Sequence, residues 1–213
     1  MSEAPRRALI VIDVQNEYVN GNVLIEYPPV QQSLAAIGRA IDAAHAAGLP
    51  VVVVQHSAPP TSPVFARGSA GWQLHPVVAS RAHDHLIEKS KPSAFVDTDL
   101  SAWIAAHGID TLVVAGYMTQ HCDASTIVQA MHAGLKVEFL HDAAGSVPYA
   151  NGAGQVSAEE IHRAYCVVLQ SSFAAVLSTD EWIAALTSGA APPRDNIVVS
   201  NSRARTARAE AHS

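Results

Sequence analysis

Along the chain, short uninterrupted apolar runs alternate with stretches in which apolar residues recur at every third or fourth position. Four runs stand out, at residues 8–14 (ALIVIDV), 50–55 (PVVVVQ), 111–115 (TLVVA) and 136–140 (KVEFL). A strand covered on both faces reads as continuously apolar rather than alternating, so these runs predict strands of a buried, parallel sheet. Weaker runs at 85–89 and 173–178 each add a strand, which makes about six in all.

The stretches between them carry helical signals. Residues 30–47 place Ile37, Ile41 and Ala44 on one face and stop at Gly48, while 100–107 stop at Gly108 and 122–133 at Gly134. Glycine is favoured just past a helix end because it takes the left-handed turn there. Residues 157–171 open on Ser-Ala-Glu-Glu, a capping-box pattern. Strand and helix alternate without an internal repeat or linker. This predicts the α/β class, a three-layer α/β/α sandwich on a mostly parallel central sheet, in one domain over residues 1–186. Residues 187–213 are small, polar and Pro-containing, with a basic stretch near the end. They are expected to form a tail, disordered or packed on a neighbouring subunit.

Composition narrows the partners. The 213 residues are 49% apolar and only 6% aromatic, enough for a full core built from small aliphatic side chains. A net charge of -6, with no Lys or Arg cluster in the body of the chain, argues against nucleic acid, which needs a positive field. The N-terminus lacks the long uncharged stretch and cleavage site of a signal peptide. No run approaches the roughly 20 apolar residues that span a bilayer. The two cysteines, Cys122 and Cys166, are too few for a disulfide framework. A cytoplasmic, reduced protein with no membrane partner is expected.

In open α/β sheets functional groups collect beyond the carboxyl ends of the strands. Asp13, Lys89 and Cys122 fall there. A thiol opening a helix feels the positive end of the helix dipole, and a nearby lysine favours the thiolate further. The plainer readings are a small buried cysteine, an aspartate capping a turn, and a solvated lysine at Lys89 or at Lys91. Cys166 lies mid-helix among apolar neighbours and is read as structural.

Three segments then combine. ALIVIDVQNEYVNG, IEKSKPSAFVDTDL and LVVAGYMTQHCDAST occur in that order. Together they resemble the isochorismatase-like superfamily, in its cysteine hydrolase branch, over about residues 8–186. The resemblance assigns the catalytic lysine to Lys89, four residues before Ser93, and leaves Lys91 as runner-up. It implies Asp13 as general base, Lys89 as support for the thiolate, and Cys122 as nucleophile on a carbonyl carbon. It also implies a non-proline cis peptide between Tyr117 and Met118, with the N–H groups of Met118 and Cys122 as the oxyanion hole. A substrate wall is expected from Gln15, Tyr18, Trp72, Phe95 and Tyr117, although Trp72 and Phe95 fit ordinary packing equally well. The activity implied is hydrolysis of a non-peptide C–N bond in a small amide, ureido or carbamoyl compound through a thioester. Alternatives are vinyl-ether hydrolysis of the isochorismatase type, against which Cys122 argues, and a non-catalytic binding protein. The resemblance further implies a homo-oligomer, a dimer or a tetramer.

Metal-binding relatives carry Asp-x-His after the second strand, whereas this chain reads Val54-Gln55-His56-Ser57. His56 and His75 alone would make two ligands where stable sites use three or four, so no metal and no other cofactor is expected. Both histidines are otherwise read as loop hydrogen-bonders or as orienting substrate. Arg67 is the one charge in the 56–76 loop placed to meet an anionic substrate, or else it faces solvent.

Overall fold

The computed structural model describes residues 4–210, so the first three residues of the expected domain and the last three of the expected tail lie outside it. The chain runs β1 (Arg7–Ile12), α1 (Glu17–Asn20), α2 (Val30–Ala46), β2 (Val51–His56), α3 (Pro76–Ala79), β3 (His85–Lys89), α4 (Leu100–Ala106) and β4 (Thr111–Tyr117). A five-residue π turn (Thr119–Asp123) follows, then α5 (Ala124–His132), β5 (Lys136–Gly145), β6 (Tyr149–Asn151) and β7 (Gly154–Val156). The chain continues through α6 (Ala158–Ser172), β8 (Ala175–Leu177), α7 (Thr179–Ser188) and α8 (Ile197–Glu210). No helix among the described residues is long and apolar enough to cross a membrane.

Six strands form one parallel sheet in the order β3-β2-β1-β4-β5-β8, and β6 and β7 pair as a separate exposed hairpin. The continuous apolar runs have the origin expected of them. In β1, Leu9 and Val11 pack with Leu34, Ile37 and Ile41 of α2 and Trp182 of α7. Ala8, Ile10 and Ile12 pack on the other face with Leu100 of α4, Ile127 of α5 and Leu169 of α6. β2 and β4 divide their residues between the two faces in the same way, and this makes the three layers. β3 gave a weak signal because it is an edge strand, with only Ile87 and Lys89 buried.

Glycine is required where β1 and β4 come together near their carboxyl ends. A Cβ on Gly116, at φ 125°, would sit 2.1 Å from the carbonyl oxygen of Ile12. Any side chain there would push the two strands apart.

The boundary drawn at residue 186 falls inside α7, which ends at Ser188 with Gly189 in the left-handed conformation at φ 69°. Beyond it the chain runs back along α6, where Asp195 N–H donates to Gln170 O at 3.2 Å and Gln170 Nε2 donates to Pro193 O at 3.2 Å. The structure then gives Ile197–Glu210 helical form.

Candidate active site

The strand order reverses between β1 and β4. In open parallel sheets the crevice beyond the carboxyl ends of two such strands is where ligands bind. Asp13 follows β1 directly, and β4 runs through Met118 into the π turn that holds Cys122. The crevice is therefore flanked by a carboxyl group on one side and a thiol on the other. Asp13 takes φ 52°, a left-handed conformation that aspartate tolerates better than most residues. Its N–H donates to Val54 O at 2.9 Å and its carbonyl accepts from Gln15 N–H at 2.8 Å, so the turn is fixed on both sides.

Lys89 comes from β3, two strands away, and reaches across with its whole side chain buried. Its ammonium group donates to Asp13 Oδ2 at 2.6 Å, to Cys122 Sγ at 3.3 Å and to Lys91 O at 3.1 Å. Three N–H donors thus meet three acceptors. The side chains of Lys89 and Asp13 are both 0% exposed and Cys122 is 5% exposed. Lys91 itself is exposed and contributes only its carbonyl.

Cys122 lies in the π turn just ahead of α5, and its surroundings raise its pKa. Burial pushes its pKa up, the Asp13 carboxylate adds to the rise, and Lys89 offsets only part of it. For Lys89 burial works against the charge, but Asp13 and Cys122 outweigh it and hold the ammonium form. The centre brings a cysteine, a lysine and an aspartate together, with Lys89 between the other two.

The turn is braced from behind. Thr119 Oγ1 and His162 Nδ1 share a hydrogen bond of 2.9 Å, and His162 Nε2 lies 3.6 Å from Cys166 Sγ. Burial lowers the His162 pKa to about 4, so the ring is neutral. Thr126 Oγ1 donates to Cys122 O at 2.8 Å and accepts from Ala94 N–H at 3.0 Å, while Ser93 Oγ donates to Gln129 Oε1 at 2.6 Å. The Ser-Ala-Phe segment therefore locks the chain after Lys89 onto the helix after Cys122. The Tyr117–Met118 peptide is cis.

The expected substrate wall separates into parts. Tyr18 is buried with its ring against Phe65 and Tyr117, and its phenol pKa is raised by burial and then by Cys122 and Asp13. Phe95 is buried in the same apolar cluster as Cys122. Tyr117 is a correction: it is 0% exposed, and its hydroxyl lies 2.7 Å from Ser33 Oγ beneath α2, which makes it a core residue. Gln15 is another. Its amide donates to His56 O at 2.9 Å and Trp72 O at 2.7 Å and accepts from His56 N–H at 2.9 Å, so it laces loops together. Trp72 is half-buried and gives its indole N–H to Ser57 Oγ at 2.6 Å.

The two histidines do not act together. His75 caps α3, its Nδ1 accepting from Val77 N–H at 3.2 Å. His56 faces the centre: its pKa is lowered by burial and by Lys89 and His121, with Asp13 opposing. No group of three or more His, Cys, Asp or Glu among the described residues is arranged to hold a metal ion. Arg67 pairs with Glu88 and, with Ser57, Lys89 and Asp97, lines a cavity of about 260 Å³. A larger cavity of about 490 Å³ lies at the opposite end of the sheet, beside Thr111, Lys136 and Glu138, and contains none of these groups.

Sequence reasoning passed over Ser57, His162 and Asp123. The last had a visible signal, a charged residue directly after the cysteine on a segment bound for the core.

Known proteins share this architecture. The isochorismatase domain model matches residues 7–181. The crystal structure of an isochorismatase-type protein from Burkholderia xenovorans LB400 superposes with a TM-score of 0.96 at 67% identity, covering 97% of this chain and 100% of that one. Streptothricin hydrolase from Streptomyces noursei is 33% identical over 64% of this chain, and the match spans about half of that protein's length, 49%. Ureidoacrylate amidohydrolase from Methylobacterium radiotolerans is 27% identical over 78% of this chain and 73% of that protein.

Proposed function

The chain belongs to the isochorismatase family, and from that premise we propose that it hydrolyses a non-peptide C–N bond in a small amide, ureido or carbamoyl compound, with Cys122 as the nucleophile. The observation that carries the reading is the buried ammonium group of Lys89, 2.6 Å from Asp13 Oδ2 and 3.3 Å from Cys122 Sγ. A structural lysine has no reason to share its donors between a carboxylate and a thiol out of water. The ureidoacrylate amidohydrolase is by name an amidohydrolase of a ureido compound, the reaction class proposed.

Because the thiol is protonated at rest, the proton leaves as the bond forms. Asp13 takes it while Sγ attacks the carbonyl carbon, which avoids an isolated thiolate in a dry site. Lys89 stays charged and balances the negative charge that passes from Asp13 to the tetrahedral oxygen. The N–H groups of Met118 and Cys122 receive that oxygen, a contribution of about 3–4 kcal/mol per donor in other hydrolases. Collapse expels the amine, which takes the proton back from Asp13 and leaves a thioester. Water, deprotonated by the same carboxylate, then releases the acid and restores the thiol.

The test is Cys122→Ala, assayed by ammonia release from nicotinamide, acetamide and N-carbamoylglycine. A turned-over compound should lose at least about four orders of magnitude in rate, as when the nucleophile of a covalent hydrolase is removed. Wild-type turnover in that variant would overturn the covalent reading.

A further inference from the structure

α6 lies on the outside of the molecule, where a helix shows a polar face to water. Its first turns obey, with Glu159, Glu160 and Arg163 exposed. Its middle does not: Ala164, Tyr165, Val167 and Val168 are all exposed, Val167 to 66% and Val168 to 53%. Ile161 and Leu169 already bury the inward side, so the outward residues add little to the core of their own chain. An open groove of about 520 Å³ between Tyr165 and Ala124 and Val128 of α5 widens the apolar face.

α8 shows the same deficit. Asp195 N–H donates to Gln170 O, so α8 begins beside the last turn of α6, and the two helices touch. From Ile197 to Arg208 every residue except Ser200 is exposed, Ile197 to 65% and Val198 to 77%. A 14-residue helix with so little packing is marginal in water. Ile197, Val198 and Val199, which open it, are weak helix formers. Contiguous exposed apolar surface of this kind marks a site of association.

Charge chooses the occupant. Residues 1–193 carry 9 Lys and Arg against 17 Asp and Glu, whereas residues 194–213 carry 4 against 2. The acidic body repels phosphate, which disfavours nucleic acid, but it attracts the basic end of another copy. A twofold contact brings a surface onto its own equal, so one apolar face serves both partners. If the two α6 helices ran parallel, the arginines of α8 would meet each other. Run antiparallel, they place Arg203, Arg205 and Arg208 toward the end of the other α6, where Glu159 and Glu160 stand exposed. We propose that the outward face of α6, with α8 at its end, is the surface through which two copies of this chain associate, their α6 helices antiparallel.

Sedimentation of the full chain across micromolar concentrations reads the mass directly, and wild type should contain at least two copies. Val167→Glu combined with Val168→Glu should raise the dissociation constant of the contact at least about a hundredfold, since each charge loses its water at the centre of the face. Replacing Arg203, Arg205 and Arg208 together by Ser should raise it less, about tenfold, and should flatten the salt dependence seen in wild type. Urea unfolding checks that the glutamate variant folds; if it does not, Ala164→Glu takes its place with the same expectation. A wild type that stays monomeric overturns the proposal. One that is monomeric yet retards duplex DNA, with the arginine variant failing to do so, overturns it in favour of nucleic acid. An assembly whose dissociation constant the glutamate substitutions leave unchanged overturns it as well, because its contact then lies elsewhere.

Discussion

Two buried ion pairs sit at opposite ends of the same sheet, and they are finished to different degrees. At the amino end, Arg7 Nε and Nη2 grip Glu138 at 2.8–3.0 Å, Trp182 gives its indole N–H to the same carboxylate at 3.0 Å, and Ala190 O takes a further donor of Arg7 at 3.1 Å. Both carboxylate oxygens of Glu138 are occupied. At the carboxyl end, Lys89 is saturated but Asp13 Oδ1 has no partner among the described residues. Burying a charge pair is costly, so a pair kept for the fold uses every lone pair and proton it can. A carboxylate left half-satisfied beside a thiol is open to a proton. The ends differ in completeness as well as in composition, and on the function proposed above completeness separates scaffold from chemistry.

That contrast is sharpest in matched substitutions. Lys89→Met should lower kcat/KM by about 10³–10⁴-fold, the scale of losing a positioned charge that works with the proposed base, Asp13. Arg7→Met should cost about 3–5 kcal/mol of stability by leaving Glu138 buried and unpaired. Its kcat/KM, corrected for folded fraction, should stay within about twofold of wild type, since scaffold effects away from a site appear as stability. Ammonia release and urea unfolding read the two quantities. If Arg7→Met lost turnover as Lys89→Met does, the division between the two ends would collapse.

A smaller effect comes from the brace behind the turn. His162 has its pKa lowered to about 4 in the folded chain by burial, against about 6.5 when unfolded. Above pH 6.5 both states are neutral there and the group adds no pH dependence. As pH falls from 6.5 toward 4 the unfolded chain takes up the proton first, so stability is lost on acidification. Between pH 7 and pH 5 the loss amounts to about 2 kcal/mol. Urea midpoints at the two pH values should show a wild-type drop exceeding that of His162→Asn by this amount; equal drops would mean that the ring is not held neutral.

The smallest expected effect concerns Tyr117→Phe. Losing the bond to Ser33 should cost about 1 kcal/mol, because Ser33 Oγ also donates to Val30 O at 3.1 Å and keeps a partner. Steady-state kcat/KM should not move. A rise in KM would return Tyr117 to the substrate wall.

Much of this organisation was legible in the sequence, for definite reasons. β1, β2, β4 and β5 are apolar on both faces because helices cover both, and that leaves an uninterrupted run. Lys89 was separable from Lys91 by its distance from Ser93, and the structure sends only Lys89 inward. What escaped depends on three-dimensional direction. Tyr117 shares its parity along β4 with Val113 and Ala115, which face α2, so strand alternation alone carried the signal that it is core. Gln15 reads as a polar group at a strand end, and only folding shows that two loops consume its amide. The π turn has no propensity signature, so the helix was begun at Cys122 instead of Ala124. Helical form after Asn196 was hidden by polar composition, in which no apolar face announces a packed helix.

The lacing by Gln15 has an evolutionary consequence. One amide clamps the chain at His56 and at Trp72, so residues 57–71 form a cassette closed at its base by a side chain that belongs to neither end. Closure entropy grows slowly with loop length, by about 0.6 kcal/mol per doubling. Changes of length within the cassette's exposed stretches can therefore be absorbed at the clamp, two residues beyond Asp13, while Phe65 stays packed in the core against Tyr18. A lineage built this way can vary the exposed part of the loop while the strand ends that hold Asp13 and Lys89 stay where they are.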